Sequence, residues 1–195
     1  MNVISWFRRH TVIAHLLVSL LALVLFFVWA PAAILLIVVY VCVLGIASMN
    51  MALNLYLDAF RHIPIGAHAA ADTGGQIALT FDDSPTDGTA QILAILKARK
   101  IKATFFIVGA HAVARPELLR QIVQEGHAIG NHSHCHEHTL PMRSAAAILA
   151  DIQQCSRTIQ DIAGVIPQMY RPPFGVVNPA IARAVAACQY GWSAP

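Results

Sequence analysis

The apolar positions of this chain fall into two regimes. Residues 11–49 contain no Asp, Glu, Lys or Arg. Beyond about residue 66, apolar residues recur in short blocks separated by polar and glycine-containing breaks. The first regime, taken as one helix out to Met51, would extend about 60 Å at 1.5 Å per residue. A hydrocarbon core is only about 30 Å thick, so a single span would need extreme tilt. Pro31, flanked by Ala30 and Ala32, divides the run into nearly equal pieces. The pattern therefore predicts two membrane helices, residues 11–29 and 32–51, joined by a very tight turn. A signal peptide has an apolar region of about 7–15 residues, much shorter than this one. A buried core hairpin is the remaining alternative. Residues 53–60 either extend the second helix or lie at the membrane interface. Residues 1–65 are thus expected to be a membrane region, and residues 66–75 a linker.

After the linker the pattern alternates. Strands are expected at 76–82, 103–108, 127–132, 168–171 and from 190 to 193. Helices are expected at 89–100, 116–125, 144–163 and 179–187. Pro116 suits a first helical turn and Gly126 a C-terminal cap. Ile148, Ile152, Cys155, Ile159 and Ile162 recur at steps of four and three, and Gly164 stops that helix. Strands alternating with helices predict parallel βα units, hence an α/β fold or barrel.

Charge changes the picture in two places. Arg8 and Arg9 precede the first apolar piece and Arg61 follows the second. The positive-inside rule then puts the amino terminus in the cytoplasm. Two spans return the remainder to the cytoplasmic side, whereas one kinked span would place it outside. Elsewhere the charge is near balance, so no nucleic-acid partner is indicated. The four cysteines, Cys42, Cys135, Cys155 and Cys188, are dispersed and form no CxxC pair. Neither a disulfide scaffold nor a cysteine-zinc module is implied.

Three polar clusters fall at the carboxyl ends of expected strands, the rim where parallel α/β folds place their sites. They are Thr80-Phe81-Asp82-Asp83-Ser84-Pro85, Asn131-His132-Ser133-His134-Cys135-His136 and Arg171-Pro172-Pro173-Phe174-Gly175. Strand residues alternate faces, so Asp82 and Asp83 should point differently. One could bind a metal while the other handles a proton. His132 and His136 would share a face on a helix, and a strand-to-loop transition could also bring both inward. With Asp83 they offer a two-His, one-Asp site for a divalent metal. His134 and His138 are rival ligands, and Cys135 reads chiefly as a small filler. Asp82 would then serve as general base, with Arg171 orienting it through a charge-assisted hydrogen bond. The Phe174 backbone N–H could meet a developing oxyanion. These parts describe hydrolysis of an amide or ester. His10, His15, His62, His68 and His111 have no constellation around them and are assigned nothing.

Together the clusters resemble the three leading motifs of the polysaccharide deacetylases, carbohydrate esterase family 4, also called the nodulation-protein-B homology domain. The aspartate cluster resembles T-F-D-D-G-P with Ser84 in place of Gly. The histidine cluster resembles N-H-[ST]-x-x-H, with Glu137 where Pro often follows, and the arginine cluster resembles R-x-P-[YF]-G. The resemblance covers residues 76–195. It implies a distorted (β/α) barrel and metal-dependent removal of acetyl groups from N-acetylated sugars. It implies Asp82 as base, Asp83, His132 and His136 as ligands of zinc or a similar ion, and Arg171 as the group orienting Asp82. Phe174 would help form the oxyanion hole, with Pro173 beside it at the substrate. The expected partners are a glycan containing N-acetylglucosamine and membrane lipid. The family's later segments contain Asp-Trp and a Leu-x-His whose His is the general acid. Tyr190-Gly191-Trp192-Ser193 resembles the strand leading into them, so the barrel is expected to be incomplete. The alternative expectation is a membrane protein that keeps a metal or glycan site without turnover.

Overall fold

The structure, a computed structural model, describes residues 10–49, 55–57 and 77–188. The expected linker and the expected strand at 190–193 lie outside these residues, as does most of 53–60. The chain divides into two compact units.

The first unit is built on helix α1 (Thr11–Met49), which is long and apolar enough to cross a membrane. Its backbone leaves helical geometry at Trp29, with φ −160° and ψ 92°. Pro31 explains the break, because it lacks an N–H and its ring clashes with the preceding turn. The buried residues of α1 are all alanines: Ala14, Ala22, Ala33 and Ala47. Its large apolar side chains, such as Phe27 and Val28, face outward. The Tyr40 hydroxyl lies 2.7 Å from His15 Nδ1. A continuous helix would hold positions 25 residues apart about 37 Å from one another. The 39 residues are therefore not one unbroken rod.

The second unit holds three strands, β1 (Thr80–Ser84), β2 (Thr104–Ile107) and β3 (Ala128–Asn131). They form a parallel sheet in the order β1-β2-β3. Around them run α2 (Thr89–Ala98), α3 (Gly109–Ala114), α4 (Pro116–Gln124), α5 (Ala145–Ala163) and nearly all of α6 (Pro179–Ala187). Parallel neighbours require crossovers, and helices supply each one. The β-rich run Thr-Phe-Phe-Ile makes β2, the central strand, buried along most of its length. Leu93 and Leu96 of α2, Leu119 and Ile122 of α4, and Cys155 and Ile159 of α5 close over Phe105 and Ile107. Helix α5 begins where the Ser144 hydroxyl accepts the Ala147 N–H and ends at Gly164, φ 72°. Of its predicted stripe, Ile148, Ile152, Cys155 and Ile159 are fully buried and Ile162, in the last turn, is partly buried.

Three elements differ from the sequence reading. Strand β1 starts at Thr80, four residues later than expected, and runs through both aspartates. Helix α3 has no counterpart in that reading, because six residues of Gly, Ala, His and Val carry too few periods to register. The expected strand at 168–171 reduces to one parallel bridge between Asn131 and Tyr170. Among the described residues the sheet does not close into a barrel.

Candidate active site

The site begins with a fault in the sheet. Phe81 pairs with Phe105 and Ser84 with Ile107, so Asp82 and Asp83 together oppose Phe106 alone. Such a bulge bends the strand and re-aims its side chains. Asp83 completes the turn with a left-handed φ of 57°. Simple alternation does not apply to the two carboxylates, which sit inside the strand and not just beyond it. The Asp82 carboxylate accepts a 2.6 Å hydrogen bond from Arg171, whose same nitrogen also reaches the Thr80 hydroxyl at 3.1 Å. The guanidinium lies over the Phe106 ring, 4.0 Å from its centroid. The two side chains are 31% and 40% exposed, so the pair adds little to stability.

His132 follows β3 directly, and its N–H extends the ladder to the Ile107 carbonyl at 2.8 Å. Its Nδ1 lies 2.7 Å from the Arg171 carbonyl. A carbonyl only accepts, so Nδ1 carries the proton and Nε2 presents a lone pair. Burial pushes the His132 imidazole down from the usual range, against the opposing pull of the Arg171 carbonyl and the Asp82 carboxylate. That Nε2 stands 3.6 Å from Asp83 Oδ1, and His136 Nε2 stands 3.1 Å from the same oxygen. All three donor atoms lie within 4.8 Å of one another. Ligands held tetrahedrally at about 2.0–2.2 Å from zinc stand roughly 3.3–3.6 Å apart. The donor set and its spacing therefore fit a divalent ion. His132 and His136 meet through a loop, not along a helix. The rivals go elsewhere: His134 packs against Gly109, and His138 stacks on Phe174 at 4.5 Å.

Two buried polar side chains hold the histidine loop. Asn131 accepts the Ser133 N–H at 2.8 Å and donates to the Ile152 carbonyl at 2.8 Å. Asp151, only 6% exposed, accepts from the Ser133 hydroxyl at 2.6 Å. It also accepts from the N–H groups of His134 at 2.8 Å and Cys135 at 3.1 Å. The sequence reading gives neither residue a role. The available signal was a carboxylate on the otherwise apolar stripe of α5.

The third segment supplies the rim. Phe174, φ 59°, is 46% exposed and sets its ring edge-on to His136, centroids 4.7 Å apart. Pro172 and Pro173 are buried beside it. Ser84, where the family motif has Gly, is buried and donates weakly to the Asp82 carbonyl at 3.4 Å. It does not cap α2, whose N-cap position is Gly88. Glu137 pairs with Arg143 and accepts from the Thr139 hydroxyl.

A parallel α/β unit with two imidazoles and a carboxylate facing one point, and a second carboxylate oriented separately, is suited to metal-assisted hydrolysis. The chain belongs to the polysaccharide deacetylase family, whose model, Polysaccharide deacetylase, matches residues 69–192. It is 36% identical over 124 residues to the peptidoglycan-N-acetylglucosamine deacetylase PgdA of Listeria monocytogenes, covering 63% of this chain and 26% of that one. It is 42% identical over 103 residues to the peptidoglycan-N-acetylmuramic acid deacetylase PdaC of Bacillus subtilis, covering 52% of this chain and 22% of that one. Among solved structures, the family 4 carbohydrate esterase from Streptomyces lividans in complex with acetate is similar with a TM-score of 0.56 and 32% identity. That match covers 60% of this chain and 59% of the esterase. The chain thus spans about a quarter of the length of these curated relatives.

Proposed function

We propose that this chain is a membrane-anchored, metal-dependent hydrolase that removes acetyl groups from N-acetylated sugars of a polysaccharide or oligosaccharide. In this reading Asp83, His132 and His136 hold the ion, most simply zinc. When bound, the ion supplies Lewis acidity toward the acetyl carbonyl and the attacking water. Asp82 takes the proton from that water as general base. Arg171 fixes the direction of the Asp82 carboxylate. The Phe174 N–H faces the developing oxyanion, and Pro173 stiffens the segment that presents it. The glycan expected is one containing N-acetylglucosamine, as in the substrate named for the Listeria relative.

One observation carries the reading. Two consecutive carboxylates have separate partners: Asp83 faces the imidazoles at 3.1 and 3.6 Å, and Asp82 faces Arg171 at 2.6 Å. The two carboxylates take these separate partners at the bulge, where both residues oppose Phe106.

The domain arrangement belongs to the same proposal: a membrane region over residues 1–65, a linker at 66–75 and the deacetylase unit over 76–195. The two halves of α1 cross the membrane as a pair turning near Trp29, in contact with lipid. The hydrogen bond between Tyr40 and His15 supports this, since it pairs polar groups that lipid would leave unsatisfied. Arg8, Arg9 and Arg61 favour a cytoplasmic amino terminus.

The test is acetate release from N-acetylglucosamine oligomers by the zinc-loaded full chain in detergent micelles. Release that falls about 10²–10⁴-fold in Asp82→Asn, with zinc content unchanged, supports the assignment. Bound zinc with no acetate release from the unaltered chain would leave a metal-holding membrane protein without turnover.

A further inference from the structure

Past the bulge at the two aspartates it is the Ser84 carbonyl that accepts the Val108 N–H of the next chain segment, at 2.9 Å. A backbone carbonyl without a partner, at a residue in the left-handed region, is poorly held. The structure gives the Asp83 carbonyl one from another element. His111, half-buried in α3, places Nδ1 2.8 Å from the Asp83 carbonyl. The carbonyl can only accept, so Nδ1 is the donor.

The same short helix also grips the other side of the site. The Gly109 N–H donates to the Ser133 carbonyl at 3.0 Å, and the Ala110 N–H to the His134 carbonyl at 2.9 Å. This contact is close enough that a Cβ on Gly109 would come within 2.2 Å of the His134 ring. Three consecutive residues of α3 therefore bond both the aspartate strand and the histidine loop. From this we propose that His111 is a positioning residue for the metal centre. It pins the Asp83 bulge so that the carboxylate meets His132 and His136. The proposal rests on the metal assignment above but concerns a residue outside that ligand set.

The experiment measures zinc affinity of the full chain in detergent micelles, by competition with a chromophoric chelator. The unaltered protein, His111→Ala and His111→Asn are compared. Amide hydrogen exchange at residues 83 and 84 is followed in the metal-free proteins. Asn carries an N–H the same number of bonds from Cα as His Nδ1, so it can restore the donor without the ring. H111A is expected to weaken zinc about 10–100-fold, in the range of lost outer-shell partners. It should also speed exchange at 83 and 84 while leaving the melting temperature of the whole unit nearly unchanged. H111N is expected to recover most of the loss. Wild-type affinity in H111A, or equal loss in both variants, overturns the positioning role. If the unaltered chain takes up no zinc, the metal assignment fails. The pin is then judged by exchange alone, and unchanged exchange in metal-free H111A refutes it.

Discussion

Replacing Asp151 with Asn tests whether a buried carboxylate, which touches neither the proposed base nor the proposed ligand side chains, builds the histidine loop. Asp151 receives three hydrogen bonds, two on Oδ2 from Ser133 and His134 and one on Oδ1 from Cys135. Asn has the same shape but only one accepting atom. With its oxygen at the Oδ2 position, its amide nitrogen faces the Cys135 N–H, donor against donor. The reverse orientation sets it against two donors. Hydrogen bonds to charged groups contribute about 1.5–3 kcal/mol each, and a buried donor left unmet costs about 1–3 kcal/mol. The carboxylate is nearly inaccessible, so solvent screening reduces these values little. Losing one bond and weakening the others to neutral strength should therefore cost about 2–4 kcal/mol. The desolvation relieved by removing the charge offsets part of this and brings the net nearer 1.5–3 kcal/mol. For a unit of this size that lowers the melting temperature by roughly 6–20 °C. The loop carries His132 and His136, so zinc affinity should also fall by about tenfold or more. Thermal unfolding followed by near-ultraviolet circular dichroism, alongside a zinc titration, reads both. Asp151→Asn that melts within about 2–3 °C of the parent, about 0.5 kcal/mol, and binds zinc equally would refute the reasoning.

Three further outcomes follow from the same geometry. Arg171→Lys keeps the charge but cannot stack on Phe106 while reaching both Asp82 and Thr80. Acetate release should drop about tenfold or more in kcat with little change in melting temperature, and equal kcat would contradict an orienting role. Gly130→Ala would place a Cβ 2.4 Å from the Phe106 ring, the platform beneath Arg171. Overpacking of about 1–3 kcal/mol should appear in denaturant unfolding, and an unshifted midpoint counts against it. His127, buried, accepts the Ala103 N–H on Nδ1, and burial chiefly, with Lys102 nearby, pushes its imidazole below the ordinary value of 6.5. The unfolded chain then binds more protons just below pH 6.5, so stability should hold above that pH and fall as pH drops through it. His127→Gln should flatten that part of the stability profile, and an identical profile would exclude His127 as its source.

Much of this arrangement was legible in the residue pattern because it rests on local rules. An uncharged apolar run interrupted by Pro31 marks α1 and its break. Steps of three and four mark α5, and Ser144 and Gly164 mark its ends. The three polar clusters were expected at strand ends, where parallel sheets place their sites; the histidines do follow β3, while the aspartates lie inside β1 and Arg171 follows a single bridge. What stayed hidden depends on partners distant in sequence. The bulge at Asp82 and Asp83 exists only relative to Phe106, and β1 alone cannot reveal an unpaired extra residue. Asp151 reads as a break in an apolar stripe because its partners are loop groups 16 to 18 residues earlier, two of them backbone. His111 has no chemical neighbour in the sequence, since its contact is a carbonyl 28 residues away.

The backbone explains why such distant supports are needed. Among the described residues, five non-glycine residues have positive φ: Asp83, Lys100, Ser133, His136 and Phe174. Four of these belong to the three site segments. Each such conformation costs about 1–3 kcal/mol, somewhat less for Asp and His, and persists only where surroundings fix it. The fixing bonds are specific. His111 holds the Asp83 carbonyl, Asn131 holds the Ser133 N–H, and the Ser133 hydroxyl holds the His136 N–H. Phe174 instead packs its ring against His136 and His138. A segment released from its support regains part of its strain as it relaxes to a commoner conformation. That recovery softens the loss of stability but disperses the donor atoms. Removal of a half-exposed support such as His111 should therefore reduce metal affinity more than stability. At buried Asp151 the unmet donors outweigh the recovered strain, so both should fall together.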